Sequence, residues 1–154
     1  MSTQSIDHAA SHRFFSTDCF NRAWELLEKS GRSANDDMQM LLLSMTSLWH
    51  WTQRSDCDEK NLSIGYWQVS RVSSVLGQAA NAAHFGELCL AHSNDVEPFF
   101  RAYAHEALAR AALTAGDSSK MEQHLSDAAD CLPMISDPEE RRAIENDLAT
   151  IRGA

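Results

Sequence analysis

The chain has 154 residues, of which 44% are hydrophobic, and its 22 acidic and 13 basic side chains give a formal net charge of −9. This length accommodates one domain with a substantial core, and the apolar fraction argues against a disordered chain. Because an acidic surface repels nucleic-acid phosphates and anionic membranes, we expect neither as a partner.

The cysteines and the start of the chain bear on metal sites and location. Cys19, Cys57, Cys89 and Cys131 form no CxxC pair and no zinc-type cluster with histidine, so we expect small buried hydrophobes and neither metal nor cofactor. The first residues lack the basic and apolar regions of a signal peptide, and the most apolar segment, residues 38–51, is too short and polar to span a bilayer. The predicted location is the cytoplasm.

Helical spacing of apolar residues begins near Thr17. We expect residues 1–16 to form a flexible segment before one helical domain over residues 17–154. Thr17 or Ser16 can cap the first helix, and Gly31 ends it. Its apolar stripe consists of Phe20, Ala23, Trp24 and Leu27.

The second helix is predicted over residues 35–54, after the capping residues of the segment GRSAND. Because Met40 and Leu43 broaden its apolar stripe, we expect this helix to be buried on more than one side. His50 and Trp51 lie off the stripe, which consists of Met38, Leu41, Leu42, Met45, Leu48, Trp49 and Thr52.

Five more helices complete the chain. The third is expected over residues 62–76, the fourth over 78–92, the fifth from 95–98 to Gly116, and the sixth from Asp117 to Leu132. Asp137 and Pro138 begin the seventh, as N-cap and first helical residue. Since no stretch alternates apolar and polar residues with strand chemistry, the predicted fold class is all-α.

A repeat emerges when the chain is aligned on Gly77 and Gly116, which lie 39 positions apart. Large and then small residues precede each glycine, and a small residue lies well into the following helix. Small side chains allow two antiparallel helices to approach closely, and glycine adopts the left-handed conformation that reverses the chain. The aligned pairs are Val69/Leu108, Ser70/Ala109, Ala82/Met121 and Cys89/Ala128.

This pattern resembles the tetratricopeptide (TPR) helical hairpin. In the best copy, residues 103–133, three positions depart from the family pattern, namely His105, Ala112 and Met121. The resemblance implies a right-handed superhelix of about three antiparallel hairpins with the seventh helix as a carboxyl-terminal cap. The matching residues are Leu108, Ala109, Gly116, Leu125, Ala128 and Pro133.

In proteins of this kind the first helix of each hairpin lines a concave groove, at positions ten and six residues before the turn glycine. Trp67, Arg71 and Arg110 would then hold an extended peptide or its carboxylate. Alternatively, Arg71 and Glu106 form a structural ion pair and Trp67 covers the core. The positions implied are Asn21, Glu25, Trp67, Arg71, Glu106 and Arg110.

Aromatic residues near the second and third helices form a second candidate site. His50 and Trp51, with Tyr66 and Trp67, are expected to cluster, either as a recognition pocket or as packing between hairpins.

Three histidines, His84, His105 and His124, fall on successive helices and suggest a metal or acid–base site. HEALA, residues 105–109, lacks the second histidine of a zinc-protease motif, and we interpret the three as isolated side chains on solvated helices. The sequence contains no catalytic motif, so an enzyme is not predicted.

The leading functional hypothesis is therefore a non-catalytic module that binds a protein or peptide partner in a groove, with a homodimer through exposed aromatics as an option that the sequence leaves open. The alternative is a small-molecule-binding or catalytic domain that uses His50, Trp67, Arg71 and Glu106. A third possibility is a regulatory fragment whose effector domain is encoded elsewhere.

Overall fold

The computed structural model describes residues 6–154, and over this range it contains seven α-helices, one short 3-10 turn and no strand. The predicted all-α class is confirmed. None of these helices combines the length and apolar character needed to cross a membrane. The helices are α1 (His8–Glu28), α2 (Ala34–Thr52), α3 (Glu59–Val75), α4 (Ala79–Ala91), α5 (Pro98–Ala115), α6 (Ser118–Cys131) and α7 (Pro138–Arg152), and Leu132–Met134 form the 3-10 turn.

The first helix begins earlier than the sequence pattern predicts. The Asp7 carboxylate caps α1 by accepting a hydrogen bond from the backbone N–H of Ala10 at 3.0 Å. Ser16 and Thr17, the predicted caps, lie inside α1, where their hydroxyls donate to the carbonyl of Arg13. The expected flexible segment is therefore wrong for residues 8–16, and residues 1–5 of it lie outside the described residues.

Three glycines reverse the chain at the predicted hairpin corners. Gly31, Gly77 and Gly116 have φ angles of 66°, 73° and 73°, in the left-handed region that glycine adopts without steric cost. Helix α1 packs against α2, α3 against α4, and α5 against α6. The prediction that Gly77 and Gly116 are hairpin turns is confirmed.

The chain divides into two compact units, one ending at Cys57 and the other spanning Asp58–Ala154. In the second unit α5 is the central helix, and it contacts α3, α4, α6 and α7. Small side chains allow this convergence, because each neighbouring backbone can approach α5 closely. The buried alanines of α5 are Ala102, Ala104, Ala107, Ala109, Ala111 and Ala112.

One contact shows how tight this packing is. A Cβ atom built on Gly86 of α4 would lie 2.8 Å from Cδ2 of Leu108 and 3.3 Å from Oγ of Ser70. Both residues belong to the aligned repeat pattern. Gly86 therefore lets α4 lie against α5 and α3 together.

The first unit buries only part of the predicted apolar stripes, including Ala23, Met40 and Leu48. Its interior uses small residues of α1, while Met38 and Trp49, both assigned to the core stripe of α2, are 55% and 54% exposed. The hydroxyl of Ser47 donates to the carbonyl oxygen of Ser16 at 2.7 Å, which satisfies two buried polar groups across the hairpin. The buried residues are Ser16, Cys19 and Ala23 of α1 and Met40, Ser44, Ser47 and Leu48 of α2.

All four cysteines are free thiols. Cys19, Cys89 and Cys131 are buried, as predicted, whereas Cys57 is half-buried. Burial raises the pKa of Cys89 to about 11, so that thiol remains protonated at neutral pH.

We expect Ala109→Leu to lower the free energy of unfolding by roughly 1–3 kcal/mol, because Ala109 is fully buried in the core shared by α5, α6 and α7. Urea unfolding of the full chain measures this change. Ala115→Leu, at an exposed position of the same helix, is the matched control and should cost much less. Equal losses in both variants would contradict the close-packing interpretation.

Candidate functional site

The eight predicted binding residues, six of the groove plus His50 and Trp51, are distributed over both units. Asn21 and Glu25 are exposed on α1, while His50 and Trp51 are half-buried near the end of α2. The second unit contains the other four, Trp67, Arg71, Glu106 and Arg110.

Glu106 does not face a groove, because it is only 1% exposed. Its carboxylate accepts a hydrogen bond from the indole N–H of Trp67 at 3.0 Å and a charged hydrogen bond from Nε of Arg110. Both oxygens are therefore engaged within the unit. The expectation that Glu106 contacts a ligand is wrong, since close packing around α5 buries it.

Arg110 extends this network to the last helix. Its guanidinium donates to the carbonyl oxygen of Asp147 at 3.2 Å and to the hydroxyl of Thr150 at 2.9 Å. Tyr103, one turn before Glu106, donates its phenol O–H to the carboxylate of Asp147 at 2.8 Å. The network joins α3, α5 and α7, so three predicted binding residues hold helices together.

Arg71 is half-buried on α3, one turn after Trp67. The ionic partner of Glu106 on its own helix is Arg110, with the i, i+4 spacing that places two side chains on one helical face.

Aromatic residues predicted as a second candidate site make ring contacts in the first unit. Trp49 and His50 cluster with α1, where the ring of His12 lies 5.4 Å from Trp49 and 5.0 Å from His50. Nδ1 of His12 and Nδ1 of His50 are 2.8 Å apart, and burial with the neighbouring His12 lowers the pKa of His50. The guanidinium of Arg54 lies 3.8 Å above Trp51.

In the second unit, Tyr66 stacks on Phe85 and His92, and Trp67 meets Tyr103 edge-on at 5.7 Å. These contacts favour the packing interpretation of these two aromatic residues over a recognition pocket.

A cluster that the sequence analysis dismissed lies on the α5–α6 hairpin. His105 is 6% exposed, and its Nδ1 lies 3.3 Å from Nδ1 of His124. A carboxylate oxygen of Asp127 lies 3.8 Å from each of these nitrogens. The interpretation of isolated, solvated histidines is therefore wrong for His105 and His124, whereas His84 is exposed on α4.

Burial lowers the pKa of both His105 and His124, although Asp127 opposes the shift. This shift favours the neutral form of both imidazoles, and a neutral imidazole has a nitrogen lone pair available. His105 and Asp127 also line a cavity of about 530 Å³, together with Arg101, Asp130, Cys131 and Met134 among others.

The spacing of His105 and Asp127 about the turn at Gly116 is a sequence signal for this cluster. His105 precedes Gly116 by eleven positions, and Asp127 follows it by eleven. In an antiparallel hairpin, residues equidistant from the corner lie opposite each other, and His124 lies one helical turn before Asp127. The glycine therefore predicts the pairing once it is accepted as a hairpin corner.

No protein-family model, curated protein or solved structure matches the chain.

We expect Glu106→Ala to lower the free energy of unfolding by about 3–5 kcal/mol, because Arg110 would be left without its buried ionic partner. Chemical denaturation of the full chain measures this effect. Glu145→Ala, an exposed glutamate on α7, should change stability little. A loss of less than 1 kcal/mol in Glu106→Ala would show that the network does not hold these helices together.

The Tyr103–Asp147 contact predicts a loss of stability at alkaline pH. Burial and the Asp147 carboxylate raise the pKa of Tyr103 far above its ordinary value of about 10. The stabilisation of the folded chain by this phenol is complete below about pH 10. Above that pH it declines, because Tyr103 loses its proton in the unfolded chain while it keeps it in the folded one. The decline reaches at most about 1.4 kcal/mol per pH unit.

Unfolding free energies of wild type and Tyr103→Phe, compared across this pH range, isolate the contribution of the phenol. We expect the unfolding free energy of wild type to fall relative to that of Tyr103→Phe as pH rises. Parallel pH profiles would contradict the assignment.

Proposed function

We propose that the protein is a non-catalytic interaction module that associates with a second copy of its own chain through the outer face of α2. The observation that carries this proposal is an exposed line of large apolar side chains, which we call the outer stripe. Its members are 44–55% exposed: Met38, Leu42, Met45 and Trp49.

The spacing of the outer stripe makes it a continuous surface. Successive members are four, three and four residues apart, so they lie along one face of the helix. Phe14 and Phe15 of α1 are also exposed, by 59% and 42%. Exposed apolar side chains gathered on one face are typical of interaction surfaces, whereas single ones are ordinary.

The charge distribution favours a second copy as the occupant. Two chains of net charge −9 repel each other, so their contact surface has to be free of like charges. Residues 38–53 contain no aspartate, glutamate, lysine or arginine. Depletion of charged residues is the compositional mark of an interface centre.

The outer stripe is also self-complementary. In an antiparallel two-fold contact, Met38 of each copy lies opposite Trp49 of the other, and Leu42 lies opposite Met45. The amino end of α2 carries Asp36 and Asp37, and its last turn carries His50. An antiparallel pair places the partially positive amino end of each α2 dipole beside the partially negative carboxyl end of the other, which is favourable, while Asp36 and Asp37 are already paired with Lys29 and Arg32 in their own chain.

The groove part of the functional hypothesis has less support. Trp67, Glu106 and Arg110 bond to one another or to α7, so their polar groups are engaged internally. The succession of three helical hairpins and a final helix along the chain supports a TPR-like scaffold. The right-handed superhelix of such a scaffold stays a prediction. We propose α2 in place of the groove as the binding surface.

We expect wild type to sediment as a dimer at micromolar concentration and the double variant Leu42→Glu, Met45→Glu to sediment as a monomer. Four glutamates would meet at the centre of a two-fold contact, where like charges are costly. Analytical ultracentrifugation of the full chain measures the mass, and circular dichroism checks that the variant is folded.

Leu113→Glu is the matched control, because Leu113 is an exposed leucine on α5 in the other unit. It should leave the dimer intact. A wild-type monomer at high concentration, or a dimer that survives the double variant, would overturn the proposal.

A further inference from the structure

Three side chains of the α5–α6 hairpin converge as metal ligands do. The ligating atoms of His105, His124 and Asp127 all lie within 4.8 Å of one another. Within residues 6–154, no other group of three histidine, cysteine, aspartate or glutamate side chains meets this criterion. The group combines two imidazoles with one carboxylate, a donor set that zinc and its neighbours in the first transition row bind.

The two imidazoles are close enough to contact each other, the Asp127 oxygen is not, and the spacing of all three atoms suits an ion between them. At 3.8 Å, the Asp127 oxygen is too far from either imidazole for a hydrogen bond. Given separations of 3.3, 3.8 and 3.8 Å, the point equidistant from the three atoms lies about 2.1 Å from each. Zinc lies about 2.0–2.2 Å from histidine nitrogen and carboxylate oxygen.

We propose that His105, His124 and Asp127 bind one divalent ion of the zinc class, with a coordination position open to the adjoining cavity. His105 and Asp127 both line this cavity, so an ion between them borders it. Three protein ligands leave a position for water or a small ligand, as in zinc sites that exchange their fourth ligand.

The cavity wall indicates which ligand suits the open position. Arg101 lies on it, with its guanidinium 3.4 Å from the side-chain oxygen of Asn94. The wall also carries Asp130, so the positive charge lies at the ion and at Arg101, and a small anion such as a carboxylate suits the part of the cavity between them.

The central experiment is a Zn²⁺ titration of the full chain in competition with a chromogenic chelator. We expect one ion per chain, and at least roughly 100-fold weaker binding in His124→Gln and in Asp127→Asn, since each removes a direct ligand. Mg²⁺, which prefers oxygen ligands, should not compete. Thermal melting of the metal-free variants checks their folding, and Asp127→Asn keeps the test valid if His124→Gln fails to fold.

Two control variants separate this site from the other histidines. His84→Gln removes an exposed histidine of α4, and the double variant His12→Gln, His50→Gln removes the close pair of the first unit. Both should bind Zn²⁺ as wild type does. Absence of Zn²⁺ binding by wild type, or loss of binding in a control but not in Asp127→Asn, would overturn the site.

Cobalt provides a readout of the open position. Co²⁺ bound to wild type should show visible absorption bands of a four- or five-coordinate ion, and azide should shift them by entering the first coordination sphere. Unchanged bands would overturn the open position. The double variant Leu42→Glu, Met45→Glu should bind Zn²⁺ normally, so this proposal and the dimer proposal can fail separately.

Discussion

The second unit depends on close approach of four helices to α5, which the alanines of that helix permit. The middle of a helix surrounded in this way, here residues 102–112, has almost no solvent-facing side, so polar side chains at these positions are buried with the alanines. Glu106 is 1% exposed and His105 6% exposed for this reason. Burial of such polar groups costs free energy unless they form hydrogen bonds or ion pairs. Glu106 and His105 form these contacts with different helices. Glu106 meets Trp67 of α3 and Arg110, whereas His105 meets α6.

Glu106 and its neighbour His105 belong to polar clusters of two different kinds. Every polar atom of the Glu106 carboxylate has a donor within the protein, so that network is complete and serves to hold α3, α5 and α7 together. The His105 cluster is incomplete, because the Asp127 oxygen lies beyond hydrogen-bonding distance of both imidazoles. An incomplete polar cluster that borders a cavity has capacity for a ligand, and this difference separates a structural network from a candidate metal site.

Small side chains also let the helices of the first unit pack closely, but there they leave an apolar surface exposed. Ser16, Cys19 and Ala23 let α1 lie close to α2, and serine hydroxyls bond to backbone carbonyls instead of remaining unsatisfied. Small residues therefore fill much of the interior beside Met40 and Leu48, and four other large apolar residues remain on the outside of α2. The apolar surface is consequently available for association, and it belongs to a different unit from the histidine cluster.

The sequence alone determined the helical class, the hairpin corners and the close packing around α5. These features are local or periodic: glycine at positive φ reverses the chain, and alanine at helical spacing marks close helix contact. Glu106 and Arg110 are four positions apart and so share a helical face, but the sequence pattern suggested Arg71 as the ionic partner of Glu106, whereas the structure pairs Glu106 with Arg110.

Tertiary structure decided which face of each helix is buried and which polar residues meet. Helical periodicity identifies a stripe but not its partner, so Met38 and Trp49 were assigned to the core although serines occupy it. Likewise, the equal spacing of His105 and Asp127 about Gly116 indicates their pairing only once that glycine is known to be a hairpin corner, because residues twenty-two positions apart have no local relation. Their encounter depends on how α5 and α6 align about Gly116, because side chains of distant residues meet only when the backbones that carry them are packed.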